Sequence, residues 1–126
     1  MSTINNLFGS ASQIAGQEVL PLIADFVVEG EQILIAYKLW RDMIIFTTER
    51  LILVDVQGLT GSKVSFESIP YSTIKRFKME NAGTLDMDCE ITLTLQGGAI
   101  YPLKFGRGTN LKPIYKYLST YILRDN

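Results

Sequence analysis

Four acids, Glu80, Asp86, Asp88 and Glu90, fall within eleven residues, and three bases, Lys75, Arg76 and Lys78, sit just ahead of them. Clustered oxygen ligands suit a hard cation such as Ca²⁺, but the D-x-D-x-D-G spacing of a calcium loop is missing. The pattern therefore reads as a solvated basic strand followed by an exposed acidic loop. A sharper alternative has the acidic loop of one copy meeting the basic strand of the next, a complementary contact that would steer association. Cys89 is the only cysteine, and histidine is absent. That removes Ser-His-Asp and Cys-His pairs, imidazole acid–base work and any zinc site of Cys and His. Cys89 reads as a small buried hydrophobe, compatible with a reducing cytosol. Gly106-Arg107-Gly108 precedes a helical pattern, yet Leu111 stands where the third glycine of G-x-G-x-x-G belongs. The strand before it belongs to a hairpin, so this is a turn rather than a phosphate cradle. No nucleophile–base pair stands out, and the expectation is no enzyme, no cofactor and no metal site.

Other candidates are contact residues. Trp40, the only tryptophan, stands at a strand end as either core or interface anchor. Arg41 and Asp42 read as turn residues that partly compensate each other. Leu7 and Phe8 lie on an apolar stripe that could dock on a neighbouring subunit.

The chain that must position these residues has 126 residues, 47% apolar and 20% charged, with a net charge of −1. One domain of this size buries about two-thirds of its unfolded surface and needs no metal or disulfide. The charge balance argues against a nucleic-acid binder, whose affinity rests on a basic surface. The first 20 residues carry no Lys or Arg, so no signal-peptide n-region is visible. No apolar run approaches the ~20 residues of a membrane span. A cytoplasmic protein is expected.

Ile4, Leu7, Phe8, Ala11, Ala15, Val19, Leu22 and Phe26 follow helical steps, with Ser2 or Thr3 as cap and Pro21 as a kink or divide. The stripe predicts an N-terminal helical segment over 1–29, packed on its own domain or docked on a neighbouring subunit, ahead of a folded domain over 30–124. A membrane-surface role is disfavoured, because its polar side lacks Lys and Arg. From Glu31 the period changes to two. Strand runs cover 33–40, 43–48, 51–56, 63–68, 73–80, 91–95 and 101–105, with a tight hairpin at Arg41-Asp42 and another at Gly97-Gly98. Pro102 suggests an edge. A second helix follows, capped by Thr109 or Asn110, with Pro113 in its first turn and Leu111, Ile114, Tyr115, Leu118 and Ile122 inward.

Val27 to Glu80 resembles the bacterial pleckstrin-homology (PH)-like domain family, through E-G-E at 29–31, F-T-x-x-R-L-I-L-V-D at 46–55, Q-G-L-T-G-x-K at 57–63 and I-P-Y-x-x-I at 69–74. The match continues through F-G-R-G at 105–108 and the last helix. The resemblance implies a mainly β (α+β) fold: a PH-like split barrel of seven antiparallel strands in two near-orthogonal sheets, capped by the C-terminal helix. It also implies a non-enzymatic module that closes into a ring of identical subunits, with five copies expected. A protein partner would use its surface. Phosphoinositide is disfavoured, because Lys38, Arg41 and Arg50 only loosely match a headgroup site and the first hairpin is too short to cradle one. The competing reading is a peripheral binder of anionic lipid or ligand through strand 75–78.

Overall fold

The computed structural model describes residues 12–14, 16–39, 41–81, 89–106 and 109–124. Eight strands and two helices follow in the order β1 (Ser12–Ile14), α1 (Gly16–Ile23), β2 (Ile33–Leu39), β3 (Asp42–Thr47), β4 (Arg50–Gln57), β5 (Lys63–Pro70), β6 (Ile74–Asn81), β7 (Cys89–Leu95), β8 (Ile100–Lys104) and α2 (Lys112–Leu123). A 3-10 turn, Tyr71–Thr73, joins β5 to β6.

The strands form two antiparallel sheets, β1-β2-β3-β4-β5 and β6-β7-β8. They are the seven expected strands plus a short N-terminal one. The architecture is the expected two-sheet, helix-capped one, but the sheets are not joined into a closed barrel.

Alternation along each strand sorts the five-stranded sheet into two faces. Ile35, Tyr37, Ile44, Phe46, Leu51 and Ile69 point toward the second sheet and α2, where Ile91, Leu93, Leu103, Phe105, Ile114 and Leu118 meet them. Tyr37 and Phe105 pack edge to face across this core, with ring centroids 5.5 Å apart. Ala36, Ile45, Ile52 and Val54 point the other way, against Val19 and Ile23 of α1. β3 and β4 are therefore buried on both faces, which explains their nearly unbroken apolar runs.

The N-terminal prediction needs correction. Ser12–Ile14 is a strand, pairing with Lys38, Tyr37 and Ala36 of β2. Helical spacing also suits a segment whose backbone a free sheet edge can satisfy, and here pairing won. Pro21 neither starts nor ends α1, which runs two residues beyond it. Val19 and Ile23 bury their side chains, while Leu22 and Phe26 of the predicted stripe are exposed. A helix of eight residues presents little more than one i, i+4 pair to a flat sheet. Leu7 and Phe8 lie outside the described residues.

The first hairpin is shifted by one residue from the prediction. Leu39 pairs with Asp42, so Asp42 opens β3 instead of lying in the connection. β5 runs on through Ile69 and Pro70, opposite Leu51 and Arg50. Gly97 and Gly98 both take positive φ, at 94° and 100°. Gly98 N–H donates to Leu95 O at 2.9 Å, so Gln96 shares the turn with them. At the start of α2 the N-cap position falls to Leu111, with no side-chain cap, rather than to Thr109 or Asn110 as expected; Asn110 Oδ1 accepts from Lys112 N–H at 3.1 Å from one residue further out.

Candidate interaction surfaces

The predicted basic residues lie on β6. Phe77 faces inward, half-buried, with its ring 5.0 Å from that of Tyr115. Arg76 and Lys78 therefore face outward, opposite Thr94 and Thr92 of β7. The pairing shifts register between Ile74 and Arg76, and this irregularity holds Lys75. Lys75 lines a groove of about 540 Å³ with Tyr71, Ser72, Ile74, Tyr121 and Leu123. The Tyr71 and Tyr121 rings stack there at 5.3 Å.

Glu80 and Glu90 sit directly opposite each other, with Lys104 of β8 beyond Glu90. Like charges at such a pair repel, and the flanking lysines temper this. Lys78 Nζ lies 3.9 Å from Glu80 Oε1, with both side chains largely exposed. Such a pair adds little stability. Asp86 and Asp88 lie outside the described residues, as does Trp40. Among the described residues no three Cys, Asp or Glu come together as a metal site. Cys89 is buried, as its sequence context predicts, with Sγ 3.5 Å from Thr109 O.

Arg41 and Asp42 tie two hairpins together. Arg41 Nη1 donates to Gly58 O at 2.8 Å, and Val56 N–H donates to Asp42 Oδ1 at 2.9 Å. Each thus makes a cross-hairpin hydrogen bond that the turn reading did not include. Arg41 Nε is buried without a partner among the described residues.

One constellation was missed as chemistry, although its motifs were visible. E-G-E and F-T-x-x-R supply Glu31, Thr47 and Arg50, which meet on the outer side of β2 to β4. Gly30, at φ 85°, shapes the turn in which Glu31 N–H donates to Val28 O at 3.0 Å. The Glu31 side chain is fully buried. Arg50 grips it with two bonds, Nη2 to Oε1 at 2.8 Å and Nε to Oε2 at 2.9 Å. Thr47 Oγ1 donates to Glu31 Oε2 at 2.6 Å, and Val28 N–H donates to Oε1 at 2.9 Å. Arg50 also reaches Phe26 O and Ser68 Oγ.

Burial pushes the Glu31 carboxyl upward, but the bonds from Arg50, Thr47 and Val28 outweigh it and hold its pKa at about 2. The bond to Glu31 in turn raises Arg50 above the usual guanidinium value. Both Glu31 oxygens, the Thr47 hydroxyl and all three Arg50 nitrogens have partners within the cluster and its neighbours, so it is a clasp between the α1–β2 link and the β3–β4 hairpin. Tyr71 OH extends it, donating to Thr47 O at 2.8 Å, and burial pushes that phenol up.

A second surface also escaped the sequence reading. On β5, Val64 and Phe66 are 42% and 40% exposed on the outer face. Phe66 packs edge to face on Phe26 at 4.9 Å. Leu20 and Leu22 of α1 are exposed as well. The signal was the alternation of Val64 and Phe66, but a period of two cannot say which face lacks a cover.

This arrangement is that of a pleckstrin-homology fold with an added N-terminal strand and helix, and comparison with known proteins agrees. The bacterial PH domain family matches residues 2–122. The chain belongs to that family. YjqA, an uncharacterized protein of Bacillus subtilis (strain 168), is 40% identical over 121 residues, covering 94% of this chain and 97% of the relative. YozO from the same strain is 33% identical over 96 residues, covering 76% and 82%. A crystal structure of a DUF1696 family protein with a pleckstrin-homology domain from Shewanella loihica PV-4 superposes with a TM-score of 0.80. It shares 39% identity, and the match covers 90% of this chain and 98% of that one. A pleckstrin-homology domain from Shewanella amazonensis SB2B gives a TM-score of 0.75 at 38% identity, covering 94% and 97%.

Proposed function

We propose that this chain is a non-enzymatic, cytoplasmic interaction module that assembles with copies of itself into a ring and offers a repeated surface to a protein partner. Five copies are the expectation carried by the family resemblance. The observation that supports assembly is that Leu20, Leu22, Phe26, Val64 and Phe66 are exposed apolar residues, with Phe26 packed on Phe66 as one strip, on a chain of net charge −1. Such a strip favours association, and so small a net charge does little to oppose it. The polar groups gathered near the first hairpin support a binding role less. Arg41 is engaged by Gly58 O and Arg50 by Glu31, so two of the three cations that loosely matched a headgroup site serve the fold.

The test is the solution mass by light scattering after size exclusion, at low and high salt. A mass near five subunits that persists in salt is expected. A monomer at all concentrations overturns the assembly reading. A ring that dissolves in salt would instead place charged contacts at its interface.

Arg76 and Lys78, side by side on the outer face of the three-stranded sheet, favour one second reading: a peripheral binder of anionic lipid. Binding to phosphatidylserine vesicles that falls as salt rises would support it. No helix among the described residues is long and apolar enough to cross a membrane, so contact of this kind would be peripheral through these elements.

A further inference from the structure

The three-stranded sheet ends on β6, and among the described residues no strand lies beyond it. The direction of its backbone follows from β7. Leu95 N–H donates to Ala99 O at 2.8 Å, and Leu95 O accepts from Gly98 N–H at 2.9 Å, so Leu95 turns its backbone toward β8. At the other end of β7, Cys89 O accepts from Phe105 N–H at 2.9 Å, in the same sense. Alternation then turns Ile91 and Leu93 toward β8, and Thr92 and Thr94 toward β6. Pro102 agrees: it stands opposite Thr92, so its missing N–H falls on the outer side of β8. Thr92 and Thr94 therefore satisfy Lys78 and Arg76, their partners on β6. Phe77 and Met79 point their N–H and C=O groups out of the sheet edge.

Two sets of side chains flank these open groups. Arg76 and Lys78 lie on the outer face. On the inner face Phe77 meets Tyr115 of α2, and Met79 is 40% exposed. α2 packs alongside β6 and the 3-10 turn, and past the register shift the inner side opens into the groove of Tyr71, Ile74, Lys75, Tyr121 and Ile122. β6 and α2 together hold five bases and one acid, on a chain of net charge −1. Bases along an edge repel a second copy of the same edge. They attract a strand of the opposite charge.

We infer that β6 receives an extended acidic segment of a partner protein, added antiparallel as a fourth strand of this sheet. Residues opposite Phe77 and Met79 exchange hydrogen bonds with the edge and project inward, so they are apolar. Residues opposite Arg76 and Lys78 project outward, so they are acidic. Main-chain bonds supply affinity and the alternating side chains supply specificity. A small polar residue stands opposite Glu80. The exposed Lys78–Glu80 pair, at 3.9 Å, is weak enough to release Lys78 to the segment. Toward its C-terminal end the segment lays an apolar side chain in the groove against Tyr121, with Lys75 beside it. The inference rests on the protein-partner part of the function proposed above, and not on its ring.

The experiment is fluorescence anisotropy of a labelled, C-terminally amidated peptide, Ser-Val-Glu-Val-Glu-Leu. It is titrated with the full-length protein at low and high salt, alongside the light-scattering mass. Saturable binding that weakens with salt is expected. N-methylation of both valines removes the donors that face β6 and should weaken binding by about tenfold or more. N-methylation of both glutamates, whose N–H groups face away, should weaken it by less than about threefold. Arg76→Glu with Lys78→Glu should abolish binding of this peptide and admit Ser-Val-Lys-Val-Lys-Leu, which also shows that the variant is folded. Equal losses from the two methylations overturn the strand addition. Wild type binding the lysine peptide as tightly overturns the acidic partner. Phosphatidylserine vesicles bound without any peptide binding overturn the inference in favour of the lipid reading. A protein of five-subunit mass that binds no peptide overturns the inference and leaves the ring standing. A monomer that binds the peptide in the expected pattern supports the inference and overturns the ring.

Discussion

The two faces of the five-stranded sheet are covered in different ways. The inner face meets a whole second sheet and α2, and Phe46, Phe105, Ile91, Leu93, Ile114 and Leu118 lose all contact with solvent there. Among the described residues the outer face meets the eight-residue α1 and, just after it, Phe26 and Val27. Ile45, Ile52, Val19 and Ile23 are sealed, but β5 emerges from under the helix with Val64 and Phe66 in water. The same strands thus carry one finished core and one half-finished one. The Glu31–Arg50 clasp lies at the boundary, where α1 hands over to β2. A polar clasp there holds the helix over the sheet without needing more apolar surface. The contrast separates residues that hold the fold from residues left for a partner.

The largest effect is expected on the inner face. Phe46→Ala should cost about 3–5 kcal/mol, from lost burial and a cavity that neither sheet can collapse. Urea unfolding followed by tryptophan fluorescence would read it, and a loss below about 1 kcal/mol would erase the distinction between the faces.

Arg50→Ala comes next, at about 3 kcal/mol near neutral pH, because it strands a buried carboxylate. Its pH dependence has a definite sign. The pKa of Glu31 is lowered on folding from 4.5 to about 2, so its contribution is present above 4.5 and lost as pH falls toward 2. Wild type should lose stability across that window. Glu31→Gln, which cannot titrate there, should show a flatter profile in acid melts monitored by circular dichroism. Equal slopes would mean that the clasp does not hold the carboxylate charged.

On the outer face Val19→Ala removes two methyl groups from under α1 and should cost about 1–2 kcal/mol by thermal melting. A cost equal to that of Phe46→Ala would show that α1 is as essential as the inner core.

The smallest effect is expected from Phe66→Ala, at less than about 1 kcal/mol on the monomer, since the ring is exposed and gains chiefly its edge contact with Phe26. The same change should nonetheless reduce the solution mass, if the exposed strip serves association. Stability and mass falling together, by several kcal/mol, would make Phe66 a core residue after all.

Much of this was legible in the chain. The alternation of Ile91, Leu93 and Leu95, the glycine pair at 97–98 and the Pro113 helix start each announced their elements, because period and turn chemistry are local properties. The inward turn of Phe77 followed from the charged residues on either side. The candidate contact residues were less legible. Arg41 and Asp42 are adjacent in sequence, so mutual compensation was the natural reading, yet each hydrogen-bonds to a strand or turn more than ten residues away. Glu31 was seen only as part of a motif, and Arg50 as part of another and as a loose headgroup match, since nineteen residues separate them and no local rule pairs them.

The sequence by itself determined the seven strand runs from Ile33 onward, the closing helix and the family, because hydrophobic period, turn residues and motif spacing are written along one dimension. Only the tertiary structure decided which apolar residues stay uncovered. Val64, Phe66, Ile45 and Ile52 obey the same alternation, and what separates them is whether an eight-residue helix reaches across the sheet to cover them. Burial is a property of what lies opposite a side chain, and that is settled only when distant segments pack.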